Sequence, residues 1–137
     1  MPLPLSKFRS NPVKSEEGVW IEYPEEGFAL KIARMGNAKY TQEIVSMRRG
    51  KQIASPLVEE ISPSAVEAIQ MKAMAKHILL DWRGITDDNG EEIPFSPEKA
   101  YEIISDPQYR DFYTLVQTLA ADAKNFLDEA EGVDEGN

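Results

Sequence analysis

A dense series of turn and helix-start signals between His77 and Asp111 constrains the fold of this chain most strongly. The segment is HILLDWRGITDDNGEEIPFSPEKAYEIISDPQYRD, with an Asn-Gly pair and two places where a small polar residue precedes proline. Such a polar residue caps free backbone amides, and proline at the first helical position already has a helical φ. These side chains set backbone geometry, which favours a small module that works through its surface over an enzyme.

A helix is predicted to begin at Ser62-Pro63 and to run to about Trp82. Trp82 is expected to anchor this segment in the fold. Gly84 is predicted to stop the helix, because glycine readily adopts the left-handed conformation that ends helices. The apolar surface of this helix is wider than a single stripe, which predicts either burial on two sides or contact with a partner. The side chains that form this candidate partner surface are Met71, Met74 and Ile78.

Further turn and start signals divide the C-terminal half. Gly90 follows asparagine, and this pair predicts a tight turn between two short extended pieces. Ser96 predicts a helix to about residue 105, and Asp106-Pro107 predicts a final helix to about residue 131. That helix carries an apolar stripe at helical spacing that includes Phe112, Leu119 and Phe126 and is either intramolecular core or a second candidate partner surface.

The N-terminal half predicts a hairpin and a short helix. VWIEY at residues 19–23 and FALKI at residues 28–32 are rich in β-branched and aromatic residues and flank a Pro-Glu-Glu-Gly turn. A hairpin alone is marginally stable, so it should pack on helices. Asn37 is a candidate N-cap for a helix to about residue 47. The chain is therefore predicted to be mainly α in the α+β class, with the N-terminal β-hairpin packed on a bundle of about four helices.

Three segments are expected along the 137 residues. Residues 1–17 predict a loose N-terminal arm, residues 18–131 a single helical domain with the hairpin, and residues 132–137 a flexible, disordered acidic tail. No apolar run approaches the roughly 20 residues of a membrane span, and the N-terminus lacks the apolar segment of a secretory signal. Because the chain also has no cysteine, a cytoplasmic protein without a membrane partner is the simplest interpretation.

The formal net charge of −9 disfavours nucleic-acid binding, because excess carboxylate repels phosphate. The acidic residues are spread along the chain in short runs. Solvated turns and helix ends account for most such runs without a special partner.

The chain lacks the residues that the candidate chemical sites would require. DDNGEE resembles part of a calcium loop, but aligning Gly90 with the loop glycine places Ile85 and Ser96 where carboxylates are needed. His77 is the only histidine, which excludes paired-histidine metal sites and favours a structural role over a general base. No nucleotide-binding or hydrolase motif is present. The sequence predicts no catalytic residue, no metal site and no cofactor.

The order and spacing of the elements resemble the bacteriophage tail assembly chaperones of long-tailed phages. The resemblance covers roughly residues 5–131. Upstream, it includes the hairpin and an Asn-x-x-Tyr helix start. The other resembling residues are Ile78 to Trp82 with Gly84, Asp88-Asn89-Gly90, Ile93 to Ser96, Ala100 to Ile104, Asp106-Pro107 with Arg110 to Phe112, and Asn125-Phe126 near an acidic end.

This resemblance implies a small, mostly helical protein of the host cell cytoplasm that acts in tail morphogenesis and is absent from the mature virion. Members of that family bind the tape-measure protein, keep its long helical segments soluble and help recruit tail-tube subunits. Many are also made in a longer, frameshifted form. The implied partners are the tape-measure protein and the tail-tube protein, and a homo-oligomer such as a ring is a further expectation. The resemblance supplies no catalytic residue.

Two other functions share the small, acidic, helical character. A structural minor tail protein or head–tail joining protein would remain in the virion and be found in purified particles. An acidic inhibitor of a host protein could act by nucleic-acid mimicry, which would need a continuous carboxylate face. The scattered charge of this chain disfavours the second alternative.

Overall fold

A computed structural model describes the backbone of residues 2–54 and 62–128 and the side chains of residues 2–50 and 62–128. The described elements are α1 (Pro12–Glu17), β1 (Val19–Tyr23), β2 (Phe28–Ile32), α2 (Ala38–Ala54), α3 (Pro63–His77), β3 (Leu79–Arg83), α4 (Pro97–Ile104) and α5 (Arg110–Ala121). Short 3-10 helices occur at Leu5–Phe8, Pro107–Tyr109 and Ala123–Phe126. This architecture confirms the predicted class, mainly α within α+β, and the N-terminal hairpin.

A third strand extends the predicted hairpin into a small sheet. β1 and β2 pair antiparallel, with Val19 opposite Ile32 and Tyr23 opposite Phe28, and β3 pairs antiparallel with the other side of β2. Leu30 and Ile32 of the central strand are fully buried in the hydrophobic core. The third strand and the apolar core supply the packing that an isolated hairpin lacks.

The helix predicted to reach Trp82 is shorter than expected. The side chain of Ser62 caps it as predicted, accepting a backbone amide hydrogen at 3.2 Å, but α3 ends at His77 and a strand follows. The strand forms because β2 offers backbone partners and because Leu79 and Trp82 become buried on its inner face. Tertiary pairing thus overrides the helical pattern of this stretch.

Gly84 ends a strand, whereas the sequence predicted that it would end a helix. Its φ is +75°, the left-handed conformation expected for the residue. A side chain at this position would overlap the backbone carbonyl oxygen of Gly27 in the hairpin turn. Glycine is therefore needed both for its backbone conformation and for the close approach of two chain segments.

Asn37 caps α2 as predicted and also binds the end of α3. Its Oδ1 accepts from the backbone amide of Tyr40 at 3.0 Å. Its Nδ2 donates to the carbonyl oxygens of Arg34 and His77 at 2.9 and 3.1 Å. Because the side chain is buried, these three hydrogen bonds satisfy an amide that would otherwise be costly to place in the core.

The predicted helix starts in the C-terminal half are confirmed. Ser96 Oγ accepts from a backbone amide in the first turn of α4 at 3.0 Å. Asp106 Oδ1 accepts from a backbone amide at 2.9 Å, and Pro107 occupies the first position of the 3-10 helix that leads into α5. Gly90 has a φ of +83° in a small turn where Thr86 pairs with Glu92, which agrees with the two predicted extended pieces.

The final helix is interrupted, whereas the sequence predicted a continuous one. Asp122 has an extended backbone with ψ of 107°, so α5 ends at Ala121. The Asp122 carboxylate accepts from the amide of Lys124 at 3.1 Å and starts a separate 3-10 helix. An aspartate that caps the following turn competes with helical continuation. The predicted end near residue 131 and the predicted acidic tail, residues 132–137, lie outside the described residues.

The segment predicted as a loose arm is instead attached to the C-terminal end of the described chain. The Asn11 amide donates to the carbonyl oxygen of Phe126 at 2.8 Å, and the Asp128 amide donates to that of Arg9 at 2.9 Å. The Asn11 side chain also caps α1. No local pattern predicts these bonds, because their partners lie more than a hundred residues away in the sequence.

Candidate interaction surface

Burial contradicts the prediction that Met74, Ile78 and Phe126 contact a partner. Ile78 and Phe126 have no exposed surface, and Met74 has almost none. All three pack in the cluster that the sheet and helices of the same chain enclose. Of the two explanations that the sequence offered for the wide apolar surface of α3, the structure therefore selects burial.

Of the other three predicted partner residues, Met71 is also buried in the core, whereas Leu119 and Phe112 are only partly buried. Leu119 is half-buried and packs against the core, while Met71 and Phe112 each border a groove. The groove beside Met71 also contains Arg110 and Glu67, which pair at 3.2 Å. The Asp106 carboxylate also lines this groove, and it already accepts from a backbone amide at 2.9 Å, so the charged groups here have partners within the chain.

Trp82 supports the groove beside Phe112. Its Nε1 donates to the carbonyl oxygen of Ile93 at 2.7 Å. Its ring makes edge-to-face contacts with the rings of Phe95 and Phe112, at centroid distances of 4.9 and 6.4 Å. Trp82 lies on β3 and not on the predicted helix, and its buried indole contacts both α5 and the loop that follows the strand.

The groove beside Phe112 has a volume of about 340 Å³ and lies between the turn after β3, α4 and α5. Its large apolar side chains are Ile85, Ile93, Ile103, Tyr109 and Phe112. Its charged side chains are Asp87, Asp88, Glu102 and Lys99. We call it the acidic groove, because three carboxylates face one ammonium group.

Local geometry fixes the acidic side of this groove. Asp87 Oδ1 accepts from the amides of Asn89 and Glu91 at 2.9 and 3.0 Å, which holds the turn. Lys99 pairs with Glu102 at 3.3 Å, so the two aspartates keep a net negative charge at the turn. A negative rim beside apolar side chains suits a segment that carries both apolar and basic residues.

A second exposed apolar feature lies near the N-terminus and was not predicted. Leu3, Leu5 and Phe8 are 60%, 84% and 65% exposed. Leu5 and Phe8 begin and end a 3-10 helix, in which side chains three residues apart lie on the same side. We call these three side chains, with Lys7 and Arg9, the apolar tip. The clue in the sequence was the three large apolar residues among polar neighbours in a segment with no pattern to bury them.

Glu43 of α2 pairs with two residues at the end of α3. Glu43 contacts Lys76 Nζ at 3.1 Å and His77 Nε2 at 3.3 Å. The hydrogen bond from Lys76, and then that from His77, lowers the pKa of the Glu43 carboxyl below its ordinary value. Sequence reasoning missed this pairing because it joins residues more than thirty positions apart. Its position between two helices agrees with a structural role for His77.

Two tyrosines in the core have raised pKa values. Burial is the main cause for both Tyr40 and Tyr113, because it disfavours the charged phenolate. The charge of the Tyr113 phenolate further raises the pKa of Tyr40. For Tyr113, the Glu67 carboxylate raises the pKa and the Arg110 guanidinium lowers it.

The described part of the chain holds neither a cluster of metal ligands nor a membrane-spanning helix. Within residues 2–50 and 62–128, no three histidine, aspartate or glutamate side chains are placed to share a metal ion. No helix in the described ranges is long and apolar enough to cross a membrane.

Comparison with known proteins places most of the chain in one family. A model of the family described as YdaY prophage protein matches residues 31–137, which include the last two residues of β2, both grooves and α5. No curated protein and no solved structure matches the chain. Because the match covers well over half of the sequence, the chain belongs to the YdaY prophage protein family and is of phage origin.

Proposed function

We propose that this prophage protein is a tail assembly chaperone that binds the tape-measure protein, keeps it soluble and helps recruit tail-tube subunits. The observation that carries the proposal is the ordered series from Ile78 to Phe126 that resembles tail assembly chaperones, found in a chain of a prophage family. The expected setting is the host cell cytoplasm during tail morphogenesis, with the protein absent from the finished virion.

The acidic groove is the surface that we assign to the client. A chaperone for helical segments needs open apolar surface beside charge that limits self-aggregation. Ile103 and Phe112 supply partly buried apolar surface, and Asp88 supplies exposed negative charge. The groove therefore fits the apolar face of a client helix with a lysine or arginine beside it. Met74, Ile78 and Phe126 have no part in this contact, because they are buried.

Coexpression with the tape-measure protein of the same prophage tests the proposal. We expect this chain to raise the soluble yield of the tape-measure protein and to copurify with it. A groove variant, Asp88→Lys combined with Tyr109→Ala, should weaken copurification at least about tenfold, as loss of a central contact does in other interfaces. Both positions are exposed, so the variant should still fold.

A matched control changes the same chemistry outside the groove. Glu25→Lys reverses a charge in the exposed hairpin turn, and Val45→Ala trims an exposed apolar side chain on α2. The doubly substituted control should retain full copurification. If the tape-measure protein stays insoluble with the native chain, and the chain is found in purified particles at fixed stoichiometry, the chaperone proposal fails in favour of a structural tail protein.

A further inference from the structure

The apolar tip and the acidic groove are complementary in chemistry. The tip presents Leu5 and Phe8 side by side, with Lys7 and Arg9 next to them. The groove presents apolar side chains beside Asp87 and Asp88. In a chain of net charge −9, residues 2–14 contain three basic residues and no acidic one. The N-terminal segment therefore has the opposite charge to the rest of the molecule.

The backbone of the tip is fixed at its base. Beyond Leu5 and Phe8, the chain pairs with the C-terminal end of the described residues at the bridge between Ser10 and Leu127. The side chain of Arg34 donates to Ser10 Oγ at 2.6 Å and reinforces this attachment. The attachment leaves the apolar side chains of the tip exposed and does not bring them to the groove of their own chain.

We propose that the apolar tip of one copy of this chain docks in the acidic groove of a second copy. Leu5 and Phe8 would contact Ile103 and Phe112, and the basic side chains of the tip would face the aspartates. Charge complementarity identifies the occupant, because every copy carries both halves of the contact. The proposal concerns self-association without a client, so it holds whether or not the tape-measure protein binds the same groove.

The geometry of the contact restricts the assembly that forms. The tip and the groove are different surfaces, so each copy can place its tip in the groove of one copy and receive the tip of another. Reciprocal docking of two copies closes a dimer, whereas head-to-tail docking closes a ring when the rotation allows it. Because opposite charges contribute at an exposed rim, the association should weaken as salt concentration rises.

Light scattering coupled to size-exclusion chromatography, over a series of protein and salt concentrations, tests the contact with the full chain alone. We expect a mass above that of one copy, and dissociation promoted by salt. Leu5→Glu combined with Phe8→Glu should raise the dissociation constant at least about tenfold. Val45→Glu, an apolar-to-acid change at another exposed position on α2, is the control and should leave the dissociation constant unchanged.

A charge exchange separates docking in this groove from other uses of the tip. Arg9→Glu and Asp88→Lys should each weaken association, and the two changes together should restore it, because the ion pair is then reversed. A native chain that stays monomeric at all concentrations overturns the proposal. An oligomer whose dissociation constant is unchanged in the tip variant also overturns it. So does one whose association is not restored when Arg9→Glu and Asp88→Lys are combined. Circular dichroism of each variant confirms that the fold is intact.

Discussion

The unit formed by α3 and β3 and the region around the acidic groove are similar in apolar content but differ in exposure. Ile78 and Leu79 of the first region are fully buried, while Ile103 and Phe112 of the second are only partly buried. α3 packs against α2 and α4, and β3 is paired with β2, so other elements cover them. Helices and a turn surround the groove, and no other element within residues 2–54 and 62–128 lines it. Coverage by other elements, more than apolar content, decides which side chains remain available to a partner.

The largest expected effect is the loss of a core side chain. Ile78→Ala should lower the free energy of unfolding by about 2–5 kcal/mol, because it removes buried apolar atoms and leaves a cavity. Leu5→Ala, in the exposed tip, should change it by less than about 0.5 kcal/mol. Urea unfolding of both variants measures the contrast, at a salt concentration high enough to separate the copies, because docking through the tip would otherwise add to the stability. Equal costs at the two positions would contradict the assignment of core and surface.

The junction between the two regions gives the next largest effect. Gly84→Ala should destabilise the fold by at least about 2 kcal/mol, because it combines a positive φ with overlap of the Gly27 carbonyl oxygen. Gly90→Ala is the matched control: its φ is also positive, but nothing lies within 4 Å of the added carbon. It should cost only about 1–2 kcal/mol. Thermal or urea unfolding gives both values, and a smaller loss for Gly84→Ala would rule out the close approach.

The smallest effect concerns the core tyrosines and pH. Their folded-state pKa values are raised above the ordinary value of 10.0, so the unfolded chain releases these protons first. Their contribution to stability is complete below pH 10 and is lost as the pH rises through the folded values. We expect the free energy of unfolding to fall more steeply with alkaline pH in the native chain than in a Tyr40→Phe and Tyr113→Phe variant. Identical slopes would show that the two rings are not buried as described.

Much of the local structure could be predicted from the sequence. Ser62, Ser96 and Asp106 mark real helix starts, because a cap depends on a side chain and a backbone amide only two or three residues away. The hairpin follows from two β-rich pieces and the turn between them. Gly90 likewise fixes a turn through its own φ. Each of these features is determined within a few residues.

The candidate site was predicted only in part. Phe112 was named in advance and lies on the acidic groove, but Met74 and Ile78 were named for the same reason and are buried. Helical spacing shows which side chains share a face and says nothing about what covers that face. The apolar tip was missed because its attachment depends on residues at the other end of the chain.

The sequence by itself determined the α+β class, the helix starts, the hairpin and the excess of negative charge, since these depend on composition and on neighbours along the chain. Only the tertiary structure decided that residues 79–83 become a strand and that the N-terminal segment is attached. The physical reason is the same in both cases. Backbone hydrogen bonds gained from distant residues outweigh the local preferences of the chain, and these gains exist only when the chain is folded.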